Sequence, residues 1–147
     1  MQICGSCTLC CKLLNIIEVN SKSGKYCQYC NPNVGCNIYF KHPQSCKTFN
    51  CVWMQMKKVH MDLRPDKCHV VFEKINNSLI VGSIDGKISE MSNLIKRQIK
   101  SFNSEGYSVF MQQFVPYKFI CYHIKGANKE EIIKALKDKS NDSTKLY

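Results

Sequence analysis

The spacing of apolar residues divides the chain at about residue 51. Beyond that point apolar positions recur regularly, whereas before it they do so only over residues 12–19. Four segments rich in β-branched and aromatic residues predict strands, at residues 67–75, 78–84, 107–115 and 118–124. The Asn-Asn pair after the first of these segments suits a hairpin. The second half of the chain is therefore expected to contain two strand pairs.

Helical spacing predicts a long helix between the two strand pairs, over residues 87–106. Its apolar positions are Ile88, Met91, Leu94, Ile95, Ile99 and Phe102. Gly106 suits the C-terminal end of this helix. A second helix over residues 128–139 begins with an Asn cap and acidic residues and ends with lysines, as the helix dipole favours. Residues 51–63 predict a short helix that Pro65 stops.

The resulting order of elements is β-β-α-β-β-α, which predicts the α+β class with a small antiparallel sheet and two helices. Residues 1–51 have a different composition, with nine of the eleven cysteines and most of the turn-forming residues. Such a segment needs cross-links to fold, because it has too few apolar residues to bury. We expect a cysteine-rich metal-binding module at residues 1–51 packed on an α+β half at residues 52–147, together one compact domain.

The nature of the cross-links depends on the compartment. No apolar run approaches the roughly 20 residues that span a bilayer. The first eleven residues lack the basic and apolar regions of a signal peptide. We therefore expect a protein that is not associated with a membrane and lies in the cytoplasm, where thiols stay reduced. Metal binding is then a better explanation of the cysteines than disulfides.

The cysteine spacings support metal binding. They read Cys-x2-Cys-x2-Cys-Cys, then Cys-x2-Cys-x5-Cys, then two further cysteines after nine and four residues. Two cysteines separated by a two-residue turn can bind one metal, as in zinc knuckles and iron–sulfur loops. The predicted ligands are Cys4, Cys7, Cys10, Cys11, Cys27, Cys30, Cys36, Cys46 and Cys51.

Several ligand groupings fit nine thiols. Two four-thiolate sites would leave one thiol spare, whereas three metals could share all nine through bridging sulfurs. Neighbouring Cys10 and Cys11 point in different directions, so they serve different sites or one of them bridges. His42 and His60 are alternative nitrogen ligands. We expect two or three zinc ions, with iron or a [4Fe-4S] cluster as the alternative, since Cys11 lacks the proline that follows the fourth cysteine of a bacterial ferredoxin loop.

Three segments, CGSCTLCC, GKYCQYCNPNVGCNIYFKHPQSCKTFNCVWM and LRPDKCHVVFE, resemble the CxxCxxCC cysteine-cluster family, the YkgJ-type zinc- or iron-chelating domain. The resemblance is strongest to the bacterial branch and covers about residues 2–75. It implies metal chelation by the same nine cysteines. The chain departs from the family pattern at His42 and Lys47, where the family has arginines. A related domain occurs in a flagellin lysine methylase, but this chain has no glycine-rich nucleotide loop.

The net charge of +10 makes acidic partners plausible. Two four-thiolate zinc sites would lower it to about +6, because metal binding deprotonates thiols. The aromatic residues Tyr26, Tyr29, Tyr39 and Phe40 and a basic cluster at Lys57, Lys58, Arg64 and Lys67 suit nucleic-acid binding.

We expect a small metal-binding protein with a structural or accessory role and a protein partner whose identity the sequence does not give. The alternatives are a nucleic-acid-binding module with structural zinc and an iron–sulfur redox or modifying enzyme. Cys68 and Cys121 lie in or beside predicted strands, where a cysteine usually behaves as a small apolar residue.

Overall fold

A computed structural model describes residues 4–56, 60–124 and 126–141. The helices are α1 (Cys10–Leu13), α2 (Gln44–Thr48), α3 (Val52–Gln55), α4 (Pro65–Cys68), α5 (Asn93–Ser104) and α6 (Lys129–Asn141). The strands are β1 (Cys30–Asn31), β2 (Gly35–Cys36), β3 (Val70–Lys74), β4 (Leu79–Ile84), β5 (Ser108–Phe114) and β6 (Tyr117–Tyr122). Short 3-10 helices lie at Ile17–Val19, Tyr39–Lys41, Met61–Leu63 and Ile88–Glu90.

The four longer strands form one sheet in the order β3-β4-β5-β6. The predicted α+β class and the element order after residue 67 are confirmed. The sheet is not antiparallel throughout, because β4 and β5 run parallel. The connection through α5 explains this pairing, since a helical crossover returns the chain to the end of the sheet at which β4 begins, so that β5 starts there as well.

Helix α5 covers one face of the sheet. Its buried residues are Ile95, Ile99 and Phe102, which belong to the main apolar cluster together with Met111 of β5. The helix begins later than predicted, because the Ser92 hydroxyl caps it by accepting from the backbone N–H of Ile95 at 3.3 Å. Gly106 follows its C-terminal end with φ +96°, the left-handed conformation that suits glycine after a helix.

Helix α6 covers part of the opposite face. Its Ile132 packs with Leu79, Val81 and Phe110. The Asn128 side chain accepts hydrogen bonds from the backbone N–H groups of two residues in the first turn of the helix, Glu130 and Glu131. The predicted Asn cap is therefore confirmed.

The prediction for residues 51–63 was wrong in length. Helix α3 has four residues, and Pro65 begins α4 instead of stopping the preceding helix. Proline suits the first helical position, because its fixed φ is helical and its missing N–H would have no partner there. Strand β3 consequently starts at Val70, later than predicted. Lys57 and Lys58 of the predicted helix lie outside the described residues.

The cysteine-rich half packs on the sheet face opposite α5. Leu9, Leu13 and Trp53 form an apolar cluster with Val71 of β3. Trp53 thus lies at the boundary between the two halves. An ion pair joins them as well, with Lys12 Nζ 2.8 Å from an Asp85 carboxylate oxygen. Within the described ranges, no helix has both the length and the apolar character needed to cross a bilayer.

Candidate metal centre

All nine cysteines of the first half line one cavity of about 230 Å³. They are the nine predicted ligands: Cys4, Cys7, Cys10, Cys11, Cys27, Cys30, Cys36, Cys46 and Cys51. This volume far exceeds the roughly 10–15 Å³ that one water molecule requires. The fold therefore brings to one place thiols that the sequence distributes over 48 positions.

The first cysteines enter the cavity from a tight turn and a short helix. The backbone N–H of Cys7 donates to the Cys4 carbonyl at 3.0 Å, which closes the turn. Gly5 within this turn has φ +56°, a conformation that costs glycine little. Helix α1 starts at Cys10, so Cys10 and Cys11 lie on successive helical positions. A tight turn and the start of a helix thus bring these closely spaced cysteines to the same part of the cavity.

A small hairpin supplies the next group. The backbone N–H of Cys30 donates to the Cys27 carbonyl at 2.9 Å, and Cys30 lies directly opposite Cys36 in the β1–β2 pair. The N–H of Cys27 also donates to the Cys11 carbonyl at 2.9 Å. Backbone hydrogen bonds therefore hold the hairpin against helix α1, with its cysteines near Cys11.

The last two cysteines come from the short helices α2 and α3. Cys46 lies in α2 and Cys51 immediately precedes α3. Ser45 fixes α2 by donating from its hydroxyl to the Glu18 carboxylate, and its backbone N–H donates to the other carboxylate oxygen at 3.3 Å. The hydroxyl contact lowers the pKa of Glu18. Cys51 is buried in the apolar cluster with Trp53.

Thiol side chains contact one another along a continuous path. Cys4 contacts Cys10 and Cys7, Cys10 contacts Cys11, and Cys11 contacts Cys30. The contacts with Cys10 and Cys7 lower the pKa of Cys4, and the nearby Arg64 guanidinium contributes in the same direction. Contacts with Cys11 and Cys4 raise the pKa of Cys10. The pKa values of neighbouring thiols are thus shifted in opposite directions, downward at Cys4 and upward at Cys10.

Burial has a separate effect on the remaining thiols. It raises the pKa of Cys46 to about 11 and is the largest cause of the raised pKa of Cys51. Desolvation disfavours a thiolate, whereas a divalent cation would favour it by supplying the opposite charge. The donor set therefore fits a metal that binds thiolates, and metal binding would release protons from these thiols.

The thiols line the walls of the cavity and do not converge on one point. In the described ranges of the chain, no three or more Cys, His, Asp or Glu side chains have the arrangement of a formed metal site. A cysteine side chain has one staggered torsion, so a rotamer change redirects its sulfur without moving the backbone. The composition of the cavity, rather than a formed coordination sphere, is the observation that points to metal.

The two histidines considered as ligands differ in position. His42 lines the cavity, and its ring stacks on Tyr39 with 4.9 Å between centroids. The buried Nδ1 of His42 has no hydrogen-bond partner among the described residues. His60 is exposed and bonded to Asp62, away from the cavity lining. His42 is therefore the nitrogen ligand that the fold permits.

Arg64 contacts the first cysteine turn from the other half of the chain. Its guanidinium donates to the Cys4 carbonyl at 3.2 Å and to the Ser6 hydroxyl at 3.1 Å. It also pairs with Asp66 at 3.1 Å and lies over the Trp53 ring. The sequence pattern places this residue in a basic cluster. The one sequence signal for its structural role is rarity, because only two of the 21 lysines and arginines are arginines.

Replacing Arg64 by lysine is expected to destabilise the protein by about 1–3 kcal/mol, because an ammonium cannot keep the hydrogen bonds to Cys4 and Ser6 together with the ion pair with Asp66. The measurement is chemical denaturation followed by Trp53 fluorescence. Arg97→Lys is the control, since Arg97 is exposed on α5 and the substitution should change stability little. Equal effects of the two substitutions would contradict the role given to Arg64.

The two remaining cysteines lie outside the cavity lining. Cys68 packs against the main apolar cluster, and burial raises its pKa to about 11. Cys121 packs against the cluster under α6, with its sulfur 3.8 Å from Nδ1 of His123. Both agree with the expectation of small apolar residues.

Comparison of the chain with family models, curated proteins and solved structures finds no match.

Proposed function

We propose that this protein binds metal through its nine N-terminal cysteines and that the metal stabilises the cysteine-rich half. The observation that carries the proposal is the single cavity lined by all nine thiols. The resemblance to the cysteine-cluster family selects the same nine positions. The sequence motifs and the cavity lining therefore agree on the same residues.

The donor set favours zinc. Thiolates bind zinc in closed tetrahedral sites, which act on folding and leave no position for a substrate. Nine thiols suffice for two or three zinc ions. Iron, alone or as a [4Fe-4S] cluster, is the alternative, since it also takes thiolate ligands. The residues of this chain would hold the metal, exclude water through the apolar cluster around Trp53, and offset thiolate charge through Arg64.

Elemental analysis of protein purified without oxygen is expected to give two or three zinc ions per chain and no visible absorption. Iron with acid-labile sulfide and a brown colour would instead support the iron–sulfur alternative. Cys121→Ala is the control, because Cys121 lies outside the cavity lining and its loss should leave the metal count unchanged. A chain without bound metal would contradict the proposal.

A nucleic-acid-binding module with structural zinc is the second candidate, supported by exposed rings in the cysteine-rich half. Tyr26, Tyr29, Tyr39 and Phe40 are all exposed, Phe40 at 94 %. Arg64 is unsuited to contact phosphate, because it is paired with Asp66. Fluorescence anisotropy with labelled single-stranded RNA and DNA tests this candidate. Binding that weakens with salt and with Phe40→Ala would support it.

A further inference from the structure

The nine thiols form two sets that differ in their surroundings. The inner set consists of Cys4, Cys7, Cys10 and Cys51. Cys7 and Cys51 are each only 7 % exposed and belong to the apolar cluster with Trp53, against which Cys4 also packs. Side-chain contacts join Cys4 to Cys7 and Cys10. Three of these thiols thus lie at an apolar surface that excludes water, and Cys10 adjoins them through Cys4.

The outer set consists of Cys11, Cys27, Cys30, Cys36 and Cys46. Its members lie in the β1–β2 hairpin, in the turn before it and in the short helices α1 and α2. All five are partly exposed, as are Cys4 and Cys10, whereas the two fully buried thiols, Cys7 and Cys51, both belong to the inner set. Backbone bonds and strand pairing join Cys11, Cys27, Cys30 and Cys36, as described above. Cys46 lies near Cys11, Cys27 and Cys36. This set therefore has one thiol more than a tetrahedral ion requires.

The two sets meet at neighbouring residues. Cys10 contacts Cys4 of the inner set and Cys11 of the outer set. The Cys-Cys pair therefore divides its two thiols between the sets. This arrangement favours two adjacent sites over a single site with unused thiols.

We propose that the cavity holds two metal sites of unequal lability, a closed inner site that stabilises the fold and an outer site that exchanges metal with its surroundings. The inference rests on the metal binding proposed above. An incoming ligand can reach the outer thiols from solvent, and the fifth thiol can replace a ligand that leaves. Each displaced thiolate takes up a proton, so the exchange needs no oxidant or reductant. The ligand class is a thiolate-binding ion such as zinc.

Mixing the zinc-loaded full chain with excess of a chromogenic chelator tests the inference. Release is expected in two phases, with the slow phase at least about tenfold slower, because the chelator reaches the inner set only after local opening. Each phase should release one zinc ion. A single phase would overturn the inference, whereas zinc-free starting protein would overturn metal binding itself.

Alkylation identifies the thiols released in each phase without any substitution. N-ethylmaleimide added after the fast phase should label the five outer cysteines, and mass spectrometry of peptides should show the four inner cysteines protected. Labelling distributed over both sets would overturn the inference. As matched variants, Cys36→Ser should still bind two zinc ions, since four outer thiols remain, whereas Cys51→Ser should bind one.

Discussion

Removing the proposed metal with a strong chelator is expected to lower the melting temperature by at least about 10 °C. Structural zinc supplies roughly 10–16 kcal/mol in zinc-finger peptides, and each kcal/mol corresponds to roughly 2–4 °C in a chain of this size. We expect the cysteine-rich half to depend on this contribution, because its regular elements have at most five residues within the described range 4–51. Its buried apolar side chains are few, among them Leu9, Leu13 and Ile16.

Two spectroscopic signals can follow the effect. Trp53 is the only tryptophan and lies at the boundary, so its fluorescence reports on the cysteine-rich half. Far-ultraviolet circular dichroism reports mainly on the sheet and on helices α5 and α6. After chelation the fluorescence transition should precede the dichroism transition, and restored zinc should reverse the change. Identical melting curves with and without chelator would show that metal does not stabilise this half.

The Ile99→Ala substitution is expected to reduce the free energy of unfolding by about 2–5 kcal/mol, because it opens a cavity in a well-packed core. Ile99 is 2 % exposed and faces the sheet from α5, in the cluster that contains Ile95 and Met111. This cluster is distinct from the one around the inner cysteines. The metal count of the folded variant should therefore stay unchanged.

Denaturant unfolding followed by circular dichroism measures this loss. Lys100→Ala is the control, because Lys100 is the next residue on the same helix and is exposed. Its effect should stay within about 0.5 kcal/mol, as is usual for surface positions. A similar small effect of Ile99→Ala would mean that α5 does not pack on the sheet as described.

The sequence predicted the core face of α5 well. Ile95, Ile99 and Phe102 follow the helical period, and all three are buried. The start of the helix was less predictable, because the apolar pattern continues back through Met91 and Ile88. Met91 is buried although it precedes the helix, and the capping bond from Ile95 to Ser92 determines where the helix begins. Apolar spacing thus identifies buried residues more reliably than element boundaries.

Strand pairing was only partly predictable. Alternation along a strand determines which residues face the core, but it does not specify the neighbouring strand or its direction. The β3–β4 hairpin followed from the Asn-Asn pair, whereas the β4–β5 pairing depends on the path of the chain through α5. The predicted order of elements already contains this helical crossover, which is the connection that parallel strands require.

For the candidate metal centre, motif spacing identified the cysteines but not their arrangement. Spacing predicts that Cys4 and Cys7 approach each other, because two residues form a tight turn. It does not predict that Cys51 joins them, since this contact depends on packing around Trp53. The contact between Arg64 and Cys4 joins residues 60 positions apart, so the sequence does not predict it either.

The contacts between the two halves can form only after the later half has been synthesised. Lys12 pairs with Asp85, so the earlier partner leaves the ribosome 73 residues before the later one. At roughly 5–20 residues per second, this separation corresponds to an interval of about 4–15 s. Until Asp85 emerges, the nascent cysteine-rich segment lacks that partner, and it also lacks the sheet surface at Val71 until 14 residues before Asp85. Its thiols are then more open to the cellular milieu than at any later stage, so loading during translation would meet the least steric hindrance.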